Sequence, residues 1–558
     1  MSETKNLIIA VILSVLVIIL WEPFKPKRAI TERSQTENIK SNLDEKIIKS
    51  DIPIKLDKPE KIIAQNIFFE NEKIEGNINL KSLRFNELYL KKYDLSKDSV
   101  EKVDLLQSKD PENTYFTEFS WKISNMGSAS NDLVWKLISG DKLTPNSPIK
   151  LLWRSNNNLI EIVRTLSVDN NYMFKINDTV KNNANYDIKL NQYGLINKTM
   201  AEVEKQFFIL HEGPIGVFNN ALHETKFNKL IKKGKESFSS TKGWAGISDK
   251  YWLTAIIPDK KQNFNYRFTS YLKNNTHKFQ VDMQGDDVVV AAGETYNSSS
   301  LLFSGAKEIS LIDKYETQHE IILFDRAIDF GILYFLTKPI YLMLKAFYTI
   351  FSNFGVAIIA LTISIRIFMY PLASKSFREI SKIKNIQPEL LKLREKYGAD
   401  KMRMQREVMS LYKAHKIKPM MGCLPVLVQV FVFFALYKVL FVTIDMRHAE
   451  FFGWITDLTE PDPTCLFNLF GLLPLNIDAP FGIWPCLLCI TMILQQKLNP
   501  SPADPMQAKM MKFLPYIFLI LFASFPAGLV IYWTFNNGFS IIQQYIISKQ
   551  TQKTLNKV

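Results

Sequence analysis

The residues with the most chemistry to offer lie inside apolar stretches. Arg366 is the one charge in the run FSNFGVAIIALTISIRIFMYP, and Thr362, Arg366 and Tyr370 follow one another at i, i+4, which puts all three on one helical face. A guanidinium in hydrocarbon costs about 2.5 to 3.5 kcal/mol on insertion scales, so it either snorkels to the nearer interface or faces a polar interior. This helix alone leaves both readings open. Further along, Thr491 and Gln495 stand at i, i+4, as do Tyr532, Asn536 and Ser540, with Asn537 beside Trp533 on the same stretch, and Gln429 is alone in an apolar span. Each can be satisfied singly by an interhelical hydrogen bond. Together they offer Arg366 a wet interior.

Such a set can attract anionic groups and replace part of their hydration, but it makes no bonds. Apart from Lys438 and Lys497 near span ends, the other apolar spans carry no ionisable side chain beyond thiol and phenol. Without an intramembrane Asp, Glu or His there is no proton relay or carboxylate cation site, and no Ser/His or paired-Asp arrangement for proteolysis. Cys486 and Cys489 form a C-x-x-C pair without a second ligand pair, in an apolar helix where thiols behave as small hydrophobes.

The elements that must position these residues are membrane spans. Phe354 to Pro371 is 18 residues, roughly 27 Å as a helix, close to the hydrocarbon thickness. Four more apolar runs follow at about 424–442, 482–498, 513–525 and 529–548. The fifth of the six spans, at 13 residues, would cover only roughly 20 Å. The first span is Leu7–Leu20, followed by Trp21 and no small-x-small cleavage site. Residues 1–24 therefore read as an uncleaved anchor, with a removed signal peptide as the alternative. Residues 25–60 are a polar linker, and 324–351 an interfacial amphipathic helix in which Pro339 and the charges argue against a full span. Between Pro371 and Pro419 there are 13 Lys or Arg against 5 acids, so 374–418 reads as a cytoplasmic helical hairpin, with Asp400 capping its second helix. From Thr443 to Phe481, Arg447 is the only Lys or Arg against six acids, as expected of an outer segment. Both termini then fall in the cytoplasm, with 549–558 as a short tail. The hairpin is either a headgroup-facing surface or a docking platform for an RNA-rich or acidic partner.

The net charge of +14 thus follows topology rather than nucleic-acid binding. Residues 61–320 differ from the rest. Phe119, Trp121 and Ile123 alternate with Glu118, Ser120 and Lys122; Leu133, Trp135 and Leu137 repeat the pattern; and Tyr172, Phe174 and Ile176 follow the turn Asp169-Asn170-Asn171. About 250 residues of short strands predict a large antiparallel β-sandwich, serving either to hold partners or as a structural ectodomain. All four cysteines lie in the second half, so this domain has no internal disulfide.

The run IRIFMYPL, the hairpin ending LYKAHKIKPMMGCLPVLVQ, the segment QQKLNPSPADPMQAKMMKFLP and FPAGLVIYWTFNNGFSIIQQ resemble the YidC/Oxa membrane insertase family over about 320–548. HEGPIGVF and GWAGISDKYWLTAIIP resemble the periplasmic domain of its Gram-negative members. The resemblance implies a multi-pass inner-membrane protein: six transmembrane helices, five of them a core (352–548) around a hydrophilic groove open to cytoplasm and lipid and closed outside, with a periplasmic sandwich. It implies that Arg366 is the groove arginine and that Thr362, Gln429 and Asn536, with Tyr516 and Tyr532, line the groove. It also implies insertion and folding of nascent membrane proteins without bond chemistry, cofactor or metal. The implied partners are membrane lipids, the Sec translocon and the SecDF complex, with the ribosome and the signal recognition particle receptor as further candidates, and no sequence-specific nucleic acid. Two departures stand out: an apolar outer insertion, Cys465–Pro480, and a short, modestly basic tail. The competing classes are a transporter moving a soluble anion past Arg366 and a purely structural scaffold.

Overall fold

The structure is a computed structural model; it describes residues 66–555 except 82, 98, 124–134, 204–209, 398–399, 467–480 and 500–504. The anchor, the linker, nearly all of the outer insertion and the end of the tail lie outside the described residues.

Two large sheets face each other, one of eleven strands and one of nine. In Ile160–Val168 every second residue is buried, so Ile160, Ile162, Leu166 and Val168 point inward, and the same period carries Arg164 into the core. All three guanidinium nitrogens have a partner: Nε and Nη2 each donate to the Asp178 carboxylate at 2.7 Å and Nη1 donates to the Phe119 carbonyl at 2.7 Å, while Trp121 Nε1 donates to Asp178 as well. Tyr172, Phe174 and Ile176 are buried as the alternation predicts. The strand Tyr115–Ile123 differs from its pattern, because Glu118 and Ser120 on the expected polar face are buried too. It is a central strand, covered on both faces, with Glu118 paired to Arg84 at 3.1 Å. One pairing, Phe68–Phe69 beside Lys142–Leu143, is parallel, so the domain is not wholly antiparallel.

The helices are α1 (Phe227–Lys233), α2 (Ile309–Gln318), α3 (Tyr334–Phe351), α4 (Phe354–Phe368), α5 (Tyr370–Asn385), α6 (Gln387–Tyr397), α7 (Lys401–Ala414), α8 (Pro419–Val442), α9 (Ile483–Leu498), α10 (Pro505–Phe522) and α11 (Ala527–Leu555). Three expectations need correction. The predicted span to Pro371 ends at Phe368, where the chain bends by 67° into α5, because a proline in the first turn starts a helix and cannot continue one. The predicted amphipathic helix over 324–351 starts only at Tyr334, after a 3₁₀ turn at Phe324–Ala327 and a connector in which Gly331 adopts φ +67°. The first arm of the hairpin is broken at Ile386, ahead of Pro388, whereas Asp400 caps α7 as expected, accepting the Arg403 N–H at 3.0 Å.

Among the described residues, Leu424–Val442 within α8 is long and apolar enough to cross a membrane alone, and α4 and α5 pass the same test jointly. α9 has 16 residues, α10 starts eight residues before the predicted span and continues through Pro515, and α11 runs from Ala527 past the predicted end.

Candidate functional site: a partly buried arginine among helices

α4, α8, α9, α10 and α11 run alternately between two ends. At one end lies the loop 443–466. Phe451 from this loop fills the space against Gly355 of α4, where an added Cβ would meet the ring at 1.9 Å. The N–H groups of Ala527 and Gly528 donate to the Glu460 and Leu458 carbonyls at 2.8 and 3.0 Å, holding the start of α11. Asp462 accepts the Trp484 N–H at 2.9 Å and Thr464 Oγ1 accepts that of Ile483 at 2.9 Å, which satisfies the first turn of α9. Below the loop, Phe433, Phe522 and Trp533 pack with ring centroids 4.7 to 6.0 Å apart. Among the described residues this end is closed by backbone hydrogen bonds and aromatic packing. At the other end the hairpin joins on, through Ser376 Oγ donating to the Gly422 carbonyl at 2.9 Å and Lys418 N–H to Glu379 at 2.8 Å.

Arg366 sits twelve residues into α4, about 18 Å from the closed end. Its Nε donates to Asn536 Oδ1 at 2.9 Å and its Nη2 to the Asn536 backbone carbonyl at 3.0 Å. Among the described residues no carboxylate lies within ion-pair distance of it. Among the described residues the charge is positioned by a neutral amide and neutralised by no carboxylate.

The structure brings together Arg366, Asn536, Tyr532 and Gln429, whose Nε2 donates to the buried Tyr532 hydroxyl. It does not bring in the others. Thr362 is buried and its hydroxyl returns to the Ile358 carbonyl of its own helix at 2.7 Å. Tyr516 is half exposed on α10, and Tyr370, past the bend, is half exposed as well. The polar face of α11 extends further than the reading above carried it. Ser540 and Gln544 are buried, and among the described residues Asn537 Nδ2, Gln543 Oε1 and Gln544 Oε1 have no hydrogen-bond partner, while Gln544 Nε2 donates to Asn499 at 3.0 Å. The signal was there in the continued polar spacing beyond Ser540. Unsatisfied amides buried in a helix bundle call for water or a polar visitor.

Residues 66–343 match the YidC periplasmic domain, and residues 346–554 match the 60Kd inner membrane protein family. The membrane protein insertase YidC of Rickettsia massiliae (strain Mtu5) is 45% identical over 558 residues, covering 98% of this chain and 99% of its own. The chain belongs to the YidC family of membrane protein insertases. The Rickettsia akari (strain Hartford) insertase is 45% identical over 556 residues with the same coverage. A crystal structure of an active YidC insertase with its first transmembrane domain resolved aligns over 88% of this chain and 94% of its own, at 15% identity and a TM-score of 0.36. As a YidC insertase the protein resides in the inner membrane with a periplasmic domain, and its substrates are nascent membrane proteins. It moves them without bond chemistry.

Proposed function

We propose that Arg366, Asn536, Tyr532 and Gln429 form the floor of a hydrophilic groove that takes in the short polar end of a client from the cytoplasm, and that Thr362 and Tyr516 flank it. The observation that carries this reading is a partly buried guanidinium held by Asn536 with no carboxylate beside it among the described residues. A charge kept uncompensated in a membrane interior is costly, and a client's Asp, Glu or C-terminus supplies the missing partner. Unsatisfied amides on α11 replace part of the hydration the client loses. Its apolar segment then leaves sideways into lipid, driven by about 0.8 kcal/mol per buried methylene.

The proposal includes the topology. Six spans with both termini in the cytoplasm place the basic hairpin inside. The closed end faces the periplasm, consistent with the contact between Lys97 of the β domain and Glu450 of the loop at 3.1 Å. The insertase works alone or with the Sec translocon and SecDF, and the hairpin meets clients, and the ribosome or the signal recognition particle receptor, at the lipid surface. The close packing of the described outer end argues against the anion transporter, which needs an exit there. The test is protease protection of a single-span client with an acidic outer tail, offered to liposomes holding only this protein. Protection that exceeds empty liposomes and falls with Arg366→Ala is the expected result; equal protection by the variant contradicts the role given to Arg366.

A further inference from the structure

α8 carries Gln429 into the groove floor, and nine residues further, at 100° per residue, Lys438 points from the opposite face. There its Nζ donates to Asp329 Oδ2 at 2.8 Å and to the Asp329 carbonyl at 3.2 Å, and both side chains are only 14% exposed. Asp329 belongs to the connector between the periplasmic domain and α3, and its Oδ2 also accepts the backbone N–H of buried His211 in the β domain at 2.9 Å. One carboxylate oxygen therefore joins a membrane helix, the connector and the sheet domain. Gly331, at φ +67°, turns the connector over the lysine, where an added Cβ would come within 3.3 Å of Lys438 Cε. A second tie falls one turn on, where Lys250 of the β domain lies 4.4 Å from the centroid of the Phe441 ring on α8.

We infer that Lys438 is a positioning residue for insertion: through Asp329 it pins the outer end of α8 to the periplasmic domain, fixing the rotation and tilt that bring Gln429 onto Tyr532. A helix held on the face opposite its functional residue cannot roll without breaking a desolvated ion pair. The periplasmic domain is thereby a frame for the groove and not only an appendage. The inference rests on the groove reading above, and the experiment separates the two.

Full-length protein is reconstituted in liposomes with spin labels at exposed Val426 of α8 and exposed Val289 of the β domain. Lys438→Met and Asp329→Asn are expected to broaden the distance distribution and to lower insertion by at least about fivefold for acidic-tailed and neutral-tailed clients alike. Lys438→Arg restores both. Arg366→Gln should leave the distances unchanged and affect acidic-tailed clients alone, so a failure of the groove reading shows separately. Unchanged distances in Lys438→Met overturn the inference, as does broadening with insertion at the parental level. If Asp329→Asn unfolds the β domain, Lys438→Met, which lies outside that domain, decides.

Discussion

The molecule draws two arginines inward, Arg164 fully and Arg366 partly, and treats them in opposite ways. Arg164 in the sandwich meets a carboxylate on two nitrogens and a carbonyl on the third, so every nitrogen is used at home. Arg366 in the helical region is held just as firmly, yet by a single neutral asparagine. The first arrangement solves a folding problem, because a buried charge is tolerable only when matched. The second leaves the same problem open, and on the groove proposal the client's own polar end closes it. On that proposal, charge matched within the chain is structure and charge left for a visitor is function.

The sharpest way to break this contrast is to unmatch the first pair. Arg164→Met strands the Asp178 carboxylate in the sandwich and should cost about 3 to 5 kcal/mol, read as a lower thermal midpoint of the β domain, with no dependence on client charge. Adding Asp178→Leu should recover much of the loss.

His211 extends the comparison to a group sealed in without a match. Burial lowers it from its ordinary 6.5 to about 4, Asp329 opposing and Lys307 and Lys226 adding to the shift, and among the described residues its Nε2 has no partner. The unfolded chain takes up a proton near pH 6.5 and the folded one only near 4, so stability is full above 6.5 and falls as the pH drops through that window. A separation of about 2.5 corresponds to about 3 kcal/mol at most. Unfolding midpoints at pH 7.5 and pH 4.5 should converge in His211→Gln; an unchanged pH slope would place the acid sensitivity elsewhere.

At the closed end, Gly355→Ala drives a methyl group into the Phe451 ring. An overpacking cost of about 1 to 3 kcal/mol is expected, together with faster labelling of the loop 443–466 by water-soluble probes. Parental labelling rates would mean that the loop is not held by this contact. Smallest in energy is Arg366→Gln: about tenfold slower insertion of acidic-tailed clients, about 1.4 kcal/mol, with the thermal midpoint nearly unmoved.

These cases also mark what a sequence can tell. The alternation at Tyr172, Phe174 and Ile176 is legible because a strand has period two and its inward face is apolar. The partner of Arg164 is not, since Asp178 reaches it across a strand pairing whose register no local pattern specifies. Arg366 and Asn536 are legible as odd residues in apolar runs, but their hydrogen bonds join positions 170 residues apart. Thr362 shows the converse: its spacing relative to Arg366 is right, and its hydroxyl turns back to its own helix, as serines and threonines in apolar helices readily do. The break at Phe368 follows from Pro371, whereas its angle depends on what α5 packs against. Lys438 reads only as a lysine near a span end, because Asp329, over a hundred residues earlier, lies in a connector that reads as part of a helix.

The most direct test of an arginine kept for its clients is a series of single-span clients whose outer tails differ only in the number of Asp residues, inserted by the parent and by Arg366→Gln in the same liposomes. The account predicts that the ratio of parent to variant rises with each added acid and approaches one for a neutral tail. A ratio independent of tail charge would contradict it, and would make Arg366 a second Arg164, a residue that holds the fold and meets no client.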